Sequence, residues 1–315
     1  MGRALLRDMG RKPSELLRFL IGIGLVLAIG AIVVLRVTGH GPAGPVGSTT
    51  AATTATVAPP PPEPRNEACS VSGWSEAAAA NSASLVTLAW APFGRPETGW
   101  ETYAPLIGRE AGTRCGPATT GFAAALARWQ TGHRLSQDGV FKPSDFEPMR
   151  VAMMLRRPFV QQTSKGLCPA APADTALAAA APTETLWAKP IQLREGALSA
   201  YRRMVAAAKD AGVAHGDVLK LVSGYRGPEE EAARCGDGGC NTVTRAHCSA
   251  HRTGLALDLY LDHAAGQDPT STDDANRAAM ARTPAYRWLV EHADEFGFLP
   301  YPFEPWHWEW TGEPP

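Results

Sequence analysis

Three short segments of this chain hold residue types suited to hydrolytic chemistry. In Ser249-Ala250-His251-Arg252-Thr253-Gly254-Leu255-Ala256-Leu257-Asp258 an imidazole stands just ahead of an apolar run and a carboxylate sits inside it. Burying a lone carboxylate costs on the order of several kcal/mol or forces its protonation, so Asp258 needs a partner. A metal ion supplies the compensating charge, and a salt bridge is the alternative. In Tyr301-Pro302-Phe303-Glu304-Pro305-Trp306-His307-Trp308 a carboxylate precedes an imidazole by three residues, in a stretch stiffened by prolines. Read alone, that spacing is common and structural. Ser223-Gly224-Tyr225-Arg226-Gly227 places a guanidinium at a glycine-flanked turn after an apolar stretch. A guanidinium grips carboxylates with a two-pronged fork and stays charged at all relevant pH; read alone, such an Arg is more often part of a surface or interdomain ion pair.

Combined, the segments hold what a hydrolytic zinc centre needs. Three protein ligands leave a fourth tetrahedral position for water, and a carboxylate that is not a ligand takes the proton as water attacks a carbonyl. In the order S-G-Y-R, S-x-H-x-x-G-x-A-x-D and E-P-W-H, over roughly residues 193–310, the sequence resembles the VanY-type D-alanyl-D-alanine carboxypeptidases. These group with lysostaphin-like peptidases and the hedgehog domain. The resemblance implies that His251, Asp258 and His307 ligate one zinc ion and that Glu304 is the general base. It implies that Arg226 holds the substrate's terminal carboxylate or the developing oxyanion, with Tyr225, Ser249 and Trp306 on the substrate side or supporting the site. It further implies an α+β fold with a small antiparallel sheet, and hydrolysis of the terminal D-alanyl-D-alanine bond of peptidoglycan stem peptides. The sequence departs from its relatives at Glu229, Glu230 and Glu231, where they often carry Gln. Ligands and base do not encode the subsite. An L,D-carboxypeptidase, a stem-peptide endopeptidase and a non-catalytic zinc-containing wall-binding protein therefore stay open; Arg226 favours a carboxypeptidase and Glu304 an enzyme. Of the other histidines, His247 lacks the glutamate of a helical zinc motif, His263 is expected to be exposed, and His292 to pack or cap.

These residues must be held by secondary structure. Apolar residues at helical spacing over 193–211 predict a helix, 217–223 and 254–261 read as strands, and Pro284 opens a helix that lines up Tyr286, Leu289, Val290 and Phe296. Helices and strands without regular alternation argue for α+β over 191–315. Residues 68–160 read as a small, mainly helical domain with helices near 77–91 and 120–131. There Trp129-Gln130, Leu135 and Asp138-Gly139 to Pro143 resemble the second half of a small helical peptidoglycan-binding repeat; an Asp-Gly turn between core helices is the other reading. The Ala/Pro/Thr-rich stretch 161–190 reads as a linker.

The N-terminal part places the whole. An apolar run from Phe19 to Leu35, between Arg18 and Arg36, predicts a membrane helix over 19–37. Arg3, Arg7, Arg11, Lys12 and Arg18 outweigh Asp8 and Glu15, which puts residues 1–18 in the cytoplasm of a bacterial cell and the rest beyond its inner or plasma membrane. A cleaved signal peptide is the competing reading, against which the run exceeds the ~7–15 residues of a typical signal core. Residues 38–67, ending in four prolines, are too poor in large apolar side chains to fold and read as a spacer. All six cysteines lie beyond the membrane segment, where disulfides persist. Their number leaves ~15 pairings open, although Cys235 and Cys240 can close a local loop, and a zinc-thiolate site competes. Thirty Lys and Arg against 31 Asp and Glu leave no basic surplus for a nucleic-acid partner. Oligomeric state is not encoded in any of these features.

Overall fold

The computed structural model describes residues 68–166, 168–236 and 248–314. The expected membrane helix, the 38–67 spacer, His247 and the Cys235–Cys240 closure lie outside the described residues. Among the described residues, no helix is long and apolar enough to cross a membrane.

The first described elements are mainly helical: Ser75–Ser84 (α1), a two-residue ladder of Ala89–Trp90 (β1) with Glu97–Thr98 (β2), then Ala104–Glu110 (α2), Thr120–Gly132 (α3), Pro143–Arg156 (α4) and Pro158–Thr163 (α5). Helix α3 starts where the Thr119 hydroxyl accepts from the Phe122 amide, and its small and apolar residues Phe122, Ala123, Ala125 and Leu126 are buried. Trp90, Trp100, Tyr103, Phe141 and Phe146 fill the space between these elements in edge and tilted contacts. The Asp-Gly turn is locked from within: buried Gln130 accepts from the Gly139 amide (2.9 Å) and donates to the Val140 carbonyl (3.2 Å) and Asp145 (3.1 Å). A disulfide joins Cys69 to Cys115.

The stretch expected as a linker differs from that expectation. Leu177–Ala179 (β3) pairs antiparallel with Gln192–Arg194 (β4), and Thr185 and Leu186 are buried. Cys168 is disulfide-bonded to Cys248, next to the S-x-H segment. Alanine and proline carry little strand signal, and this strand exists only through a partner 15 residues away.

Glu195–Asp210 (α6) follows β4 directly, burying Leu198, Tyr201, Met204 and Ala208 along one face. Then come Leu221–Ser223 (β5), Pro228–Cys235 (α7), Ala256–Leu259 (β6), Asp274–Arg282 (α8), Pro284–His292 (α9), Phe298–Tyr301 (β7) and Glu304–Trp310 (β8). The last four strands named form one antiparallel sheet in the order β5-β6-β8-β7. All four residues of β6 and five of the seven in β8 are buried. Helices α4 and α5 pack on β7 and β8, so the helical segment and the sheet share a hydrophobic core. The architecture is α+β.

Candidate active site

Strand register assembles the centre. Asp258 in β6 stands opposite Ser223 of β5 on one side and His307 of β8 on the other. Asp258 Oδ1 lies 3.0 Å from His307 Nδ1 and 3.3 Å from His251 Nε2. Ligand-capable atoms of the three residues all fall within 4.8 Å of one another, and each residue is at most 6 % exposed.

His251 is delivered by a short 3-10 turn, Ala250–Thr253. Ser249 caps this turn by accepting from the His251 amide, while Thr253 donates to the Ala250 carbonyl and accepts from the Leu255 amide. Gly254 ends it at φ +70°, a conformation that disfavours a side chain. The His251 Nδ1–H donates to the Gly224 carbonyl at 2.7 Å, which leaves Nε2 aimed at Asp258. Gly224 has no room for a side chain: a Cβ there would meet the Gln192 carbonyl at 2.5 Å. This explains the glycine of S-G-Y-R by close approach to β4.

Burial alone would raise the Asp258 pKa, but the two imidazoles more than offset it and hold the carboxylate well below its usual range. Burial would lower that of His307, and its carboxylate neighbours Asp258 and Glu309 reverse the effect, raising it to about 9. Two imidazole nitrogens converging on one ionised carboxylate oxygen, with His251 oriented by a backbone carbonyl, make the donor set of a tetrahedral zinc site with one position open. The residues present fit a zinc ion.

Glu304 begins β8, directly after the Pro302-Phe303 turn that folds β8 back on β7. Burial pushes its pKa above the usual carboxylate range, and it feels the charges of His307, Asp258 and His251. Arg226 follows β5, with Nη1 donating to Ser249 Oγ (3.1 Å), Nη2 3.5 Å from Ser223 Oγ, and Nε 3.5 Å from Glu230. Burial lowers its pKa. The Tyr225 amide donates to the Gln192 carbonyl at 2.7 Å, and its partly exposed ring remains beside Arg226 in sequence.

Trp306 was expected on the substrate side or in support; at 2 % exposed within the core it packs beneath the strand and offers no surface to a substrate. Ser249 is engaged by Arg226 and the His251 amide. Of Glu229, Glu230 and Glu231, Glu231 is buried and accepts from the Ser249 amide at 2.7 Å, anchoring the turn that carries His251. His263 is half-buried against Tyr260 rather than exposed, and His292 pairs with Glu295 at the end of α9.

Sequence reading missed Glu309, whose Oε1 lies 3.5 Å from His307 Nε2. The two-residue spacing from His307 was the available signal, since alternate residues of a strand share a face. It also missed Arg157, which bonds Glu309 from the helical segment and has no local signal. A separate cavity of about 320 Å³, floored by Leu85, Ala104 and Val290 between α2 and α9, involves none of the metal-site residues.

The four-stranded sheet and the turn beside it bring together the three residues that could hold a metal ion. Residues 190–313 match the family model for VanY, D-alanyl-D-alanine carboxypeptidase, and this part of the chain is VanY-like. A D-alanyl-D-alanine carboxypeptidase of Enterococcus faecium is 29% identical over 125 residues, 36% of this chain and 36% of the relative; the chain thus spans about a third of that protein's length. The structure of the LdcB LD-carboxypeptidase, reported for the molecular basis of peptidoglycan recognition, is 24% identical with a TM-score of 0.34, over 46% of this chain and 72% of that one.

Proposed function

We propose that this chain is a zinc metallocarboxypeptidase that removes the terminal D-alanine from peptidoglycan stem peptides. The observation that carries the reading is the buried His251–Asp258–His307 cluster, with Glu304 on the same strand as His307 and a guanidinium beside the turn that holds His251.

His251 Nε2, Asp258 Oδ1 and His307 Nδ1 would hold the ion. When bound, zinc supplies Lewis acidity that polarises a carbonyl and makes water acidic near neutral pH. Glu304 takes the proton of the attacking water as its oxygen adds to the scissile carbonyl carbon. As the carbon–nitrogen bond breaks, Glu304 gives that proton to the leaving amine, so the carboxylate is regenerated in each cycle. Its raised pKa suits both directions, because such a carboxyl holds and releases a proton closer to neutrality. Arg226 offers its fork to the free carboxylate of the substrate, which favours cleavage of the last residue over internal cleavage.

The basic N-terminal segment and the apolar run after it support a single-pass protein with these residues outside the cytoplasm, next to the wall. The test is D-alanine release by the full chain from a stem pentapeptide, a tetrapeptide and a C-terminally amidated pentapeptide. Release from the pentapeptide alone supports the D,D-carboxypeptidase reading. Release from the tetrapeptide assigns L,D-specificity, and cleavage of the amidated peptide contradicts the role of Arg226.

A further inference from the structure

We infer that Arg157, contributed by the helical segment, is a positioning residue of the metal centre that acts through Glu309 on His307. The inference rests on the metallopeptidase reading and deepens it, because it makes the helical segment a working part of the site.

The geometry begins with a proline. Pro158 keeps Arg157 out of helical backbone (φ −71°, ψ 128°), so α4 stops, α5 starts, and the Arg157 side chain turns inward at the junction. There it is 5 % exposed against 2 % for Glu309. Nε donates to Glu309 Oε1 at 2.8 Å, Nη2 bonds the same oxygen, and the Phe159 amide donates to Oε2 at 3.2 Å. Both oxygens of Glu309 are thus fixed from one helix junction about 150 residues away in sequence.

Glu309 in turn sets its Oε1 3.5 Å from His307 Nε2, a buried nitrogen with no closer hydrogen-bond partner. A carboxylate at the back of a ligand histidine fixes which nitrogen carries the proton and how the ring is turned, and here that leaves Nδ1 directed at Asp258. The guanidinium also lies over the Tyr301 ring, 4.1 Å from its centroid, beside the turn that carries Glu304. A buried ion pair is a weak device for stability alone, since well-packed apolar residues often do as well. Its placement against a ligand histidine gives it a task that apolar residues cannot perform.

The test uses the full chain as wild type, as the double variant Arg157→Met/Glu309→Gln, and as Arg157→Lys. Zinc affinity is read by competition with a chelating dye, the ligand field by the absorption spectrum of the cobalt-substituted protein, and the fold by thermal unfolding of the metal-free chain. The expected result is a double variant that unfolds near the wild-type temperature yet binds zinc about 10–100-fold more weakly, with an altered cobalt spectrum. Arg157→Lys should recover part of the loss. A folded double variant with wild-type affinity and spectrum overturns the inference. If the double variant does not fold, Arg157→Lys decides: weaker zinc binding and a shifted spectrum support the brace, and wild-type values overturn it. A wild type that binds no zinc overturns the metal reading and this inference with it. A wild type that binds zinc without releasing D-alanine sinks the proposed reaction only, and zinc loss in the variants then still supports the brace.

Discussion

Asp258 and His307 face each other directly across the β6–β8 ladder, and their side chains meet at 3.0 Å between Oδ1 and Nδ1. Two of the three candidate ligands are thus set by strand register. A slip of one residue would turn them to opposite faces of the sheet, so correct pairing of β6 with β8 and assembly of the centre are one event. His251 alone comes from a turn, and that turn is fixed by Ser249, Thr253 and the Gly224 carbonyl.

Replacing the central carboxylate should remove the metal. Asp258→Asn keeps the shape but loses the charge that both imidazoles face, and zinc affinity should fall by at least about 100-fold, beyond the loss typical of outer partners. Dye competition measures this. An affinity within tenfold of wild type would show that Asp258 is not a ligand.

The pH profile should report Glu304. A general base works ionised, and burial raises this carboxyl above its ordinary value of 4.5. The acid limb of kcat/KM should therefore lie above that value, with activity present at higher pH and lost as pH falls through the raised pKa. The profile is to be taken with zinc content measured at each pH. A limb at the ordinary glutamate position, in fully loaded protein, contradicts the assignment.

Glu230 sits 3.5 Å from Arg226 Nε and is 64 % exposed on its side chain. It competes with a substrate carboxylate for the guanidinium, though solvent screens it. Glu230→Gln should lower KM for a free-carboxylate peptide severalfold at low salt, and less at high salt. Arg226→Ala should erase the preference for free over amidated C-termini. Steady-state kinetics on the paired peptides checks both.

Gly224→Ala places a methyl group against the Gln192 carbonyl and the Ile191 side chain. Overpacking of this kind costs about 1–3 kcal/mol, and here it also displaces the carbonyl that orients His251. Thermal unfolding should fall and zinc binding weaken together, with the second effect absent from an overpacked position remote from the site.

The candidate ligands, the candidate base and Arg226 stand out in the sequence because each is a residue out of keeping with its surroundings: a carboxylate inside an apolar run, or a charged side chain in a proline- or glycine-framed turn. What was not legible depends on partners far along the chain. β3 is alanine-rich and exists through β4; Leu193 pairs with Ala178 before the helix begins, so the predicted 193–211 helix starts late. The proline-rich C-terminal segment gave no strand signal, yet β7 lies at the sheet edge, where Pro300 is tolerated. The Trp308 and Trp310 indoles donate to the Pro305 and Phe296 carbonyls, anchoring β8 to structure around it. The bond between Arg157 and Glu309 leaves no trace in local spacing.

The central claim is that Glu304 is the base of a zinc-loaded hydrolase. The most direct measurement is D-alanine release from a stem pentapeptide by the full chain in three states: zinc-loaded, stripped by chelator, and as Glu304→Ala with zinc content verified. Release is expected only in the first, with Glu304→Ala retaining zinc and losing ~10²–10⁴-fold in kcat. Equal turnover after complete metal removal, or a zinc-loaded Glu304→Ala with wild-type kcat, would contradict it.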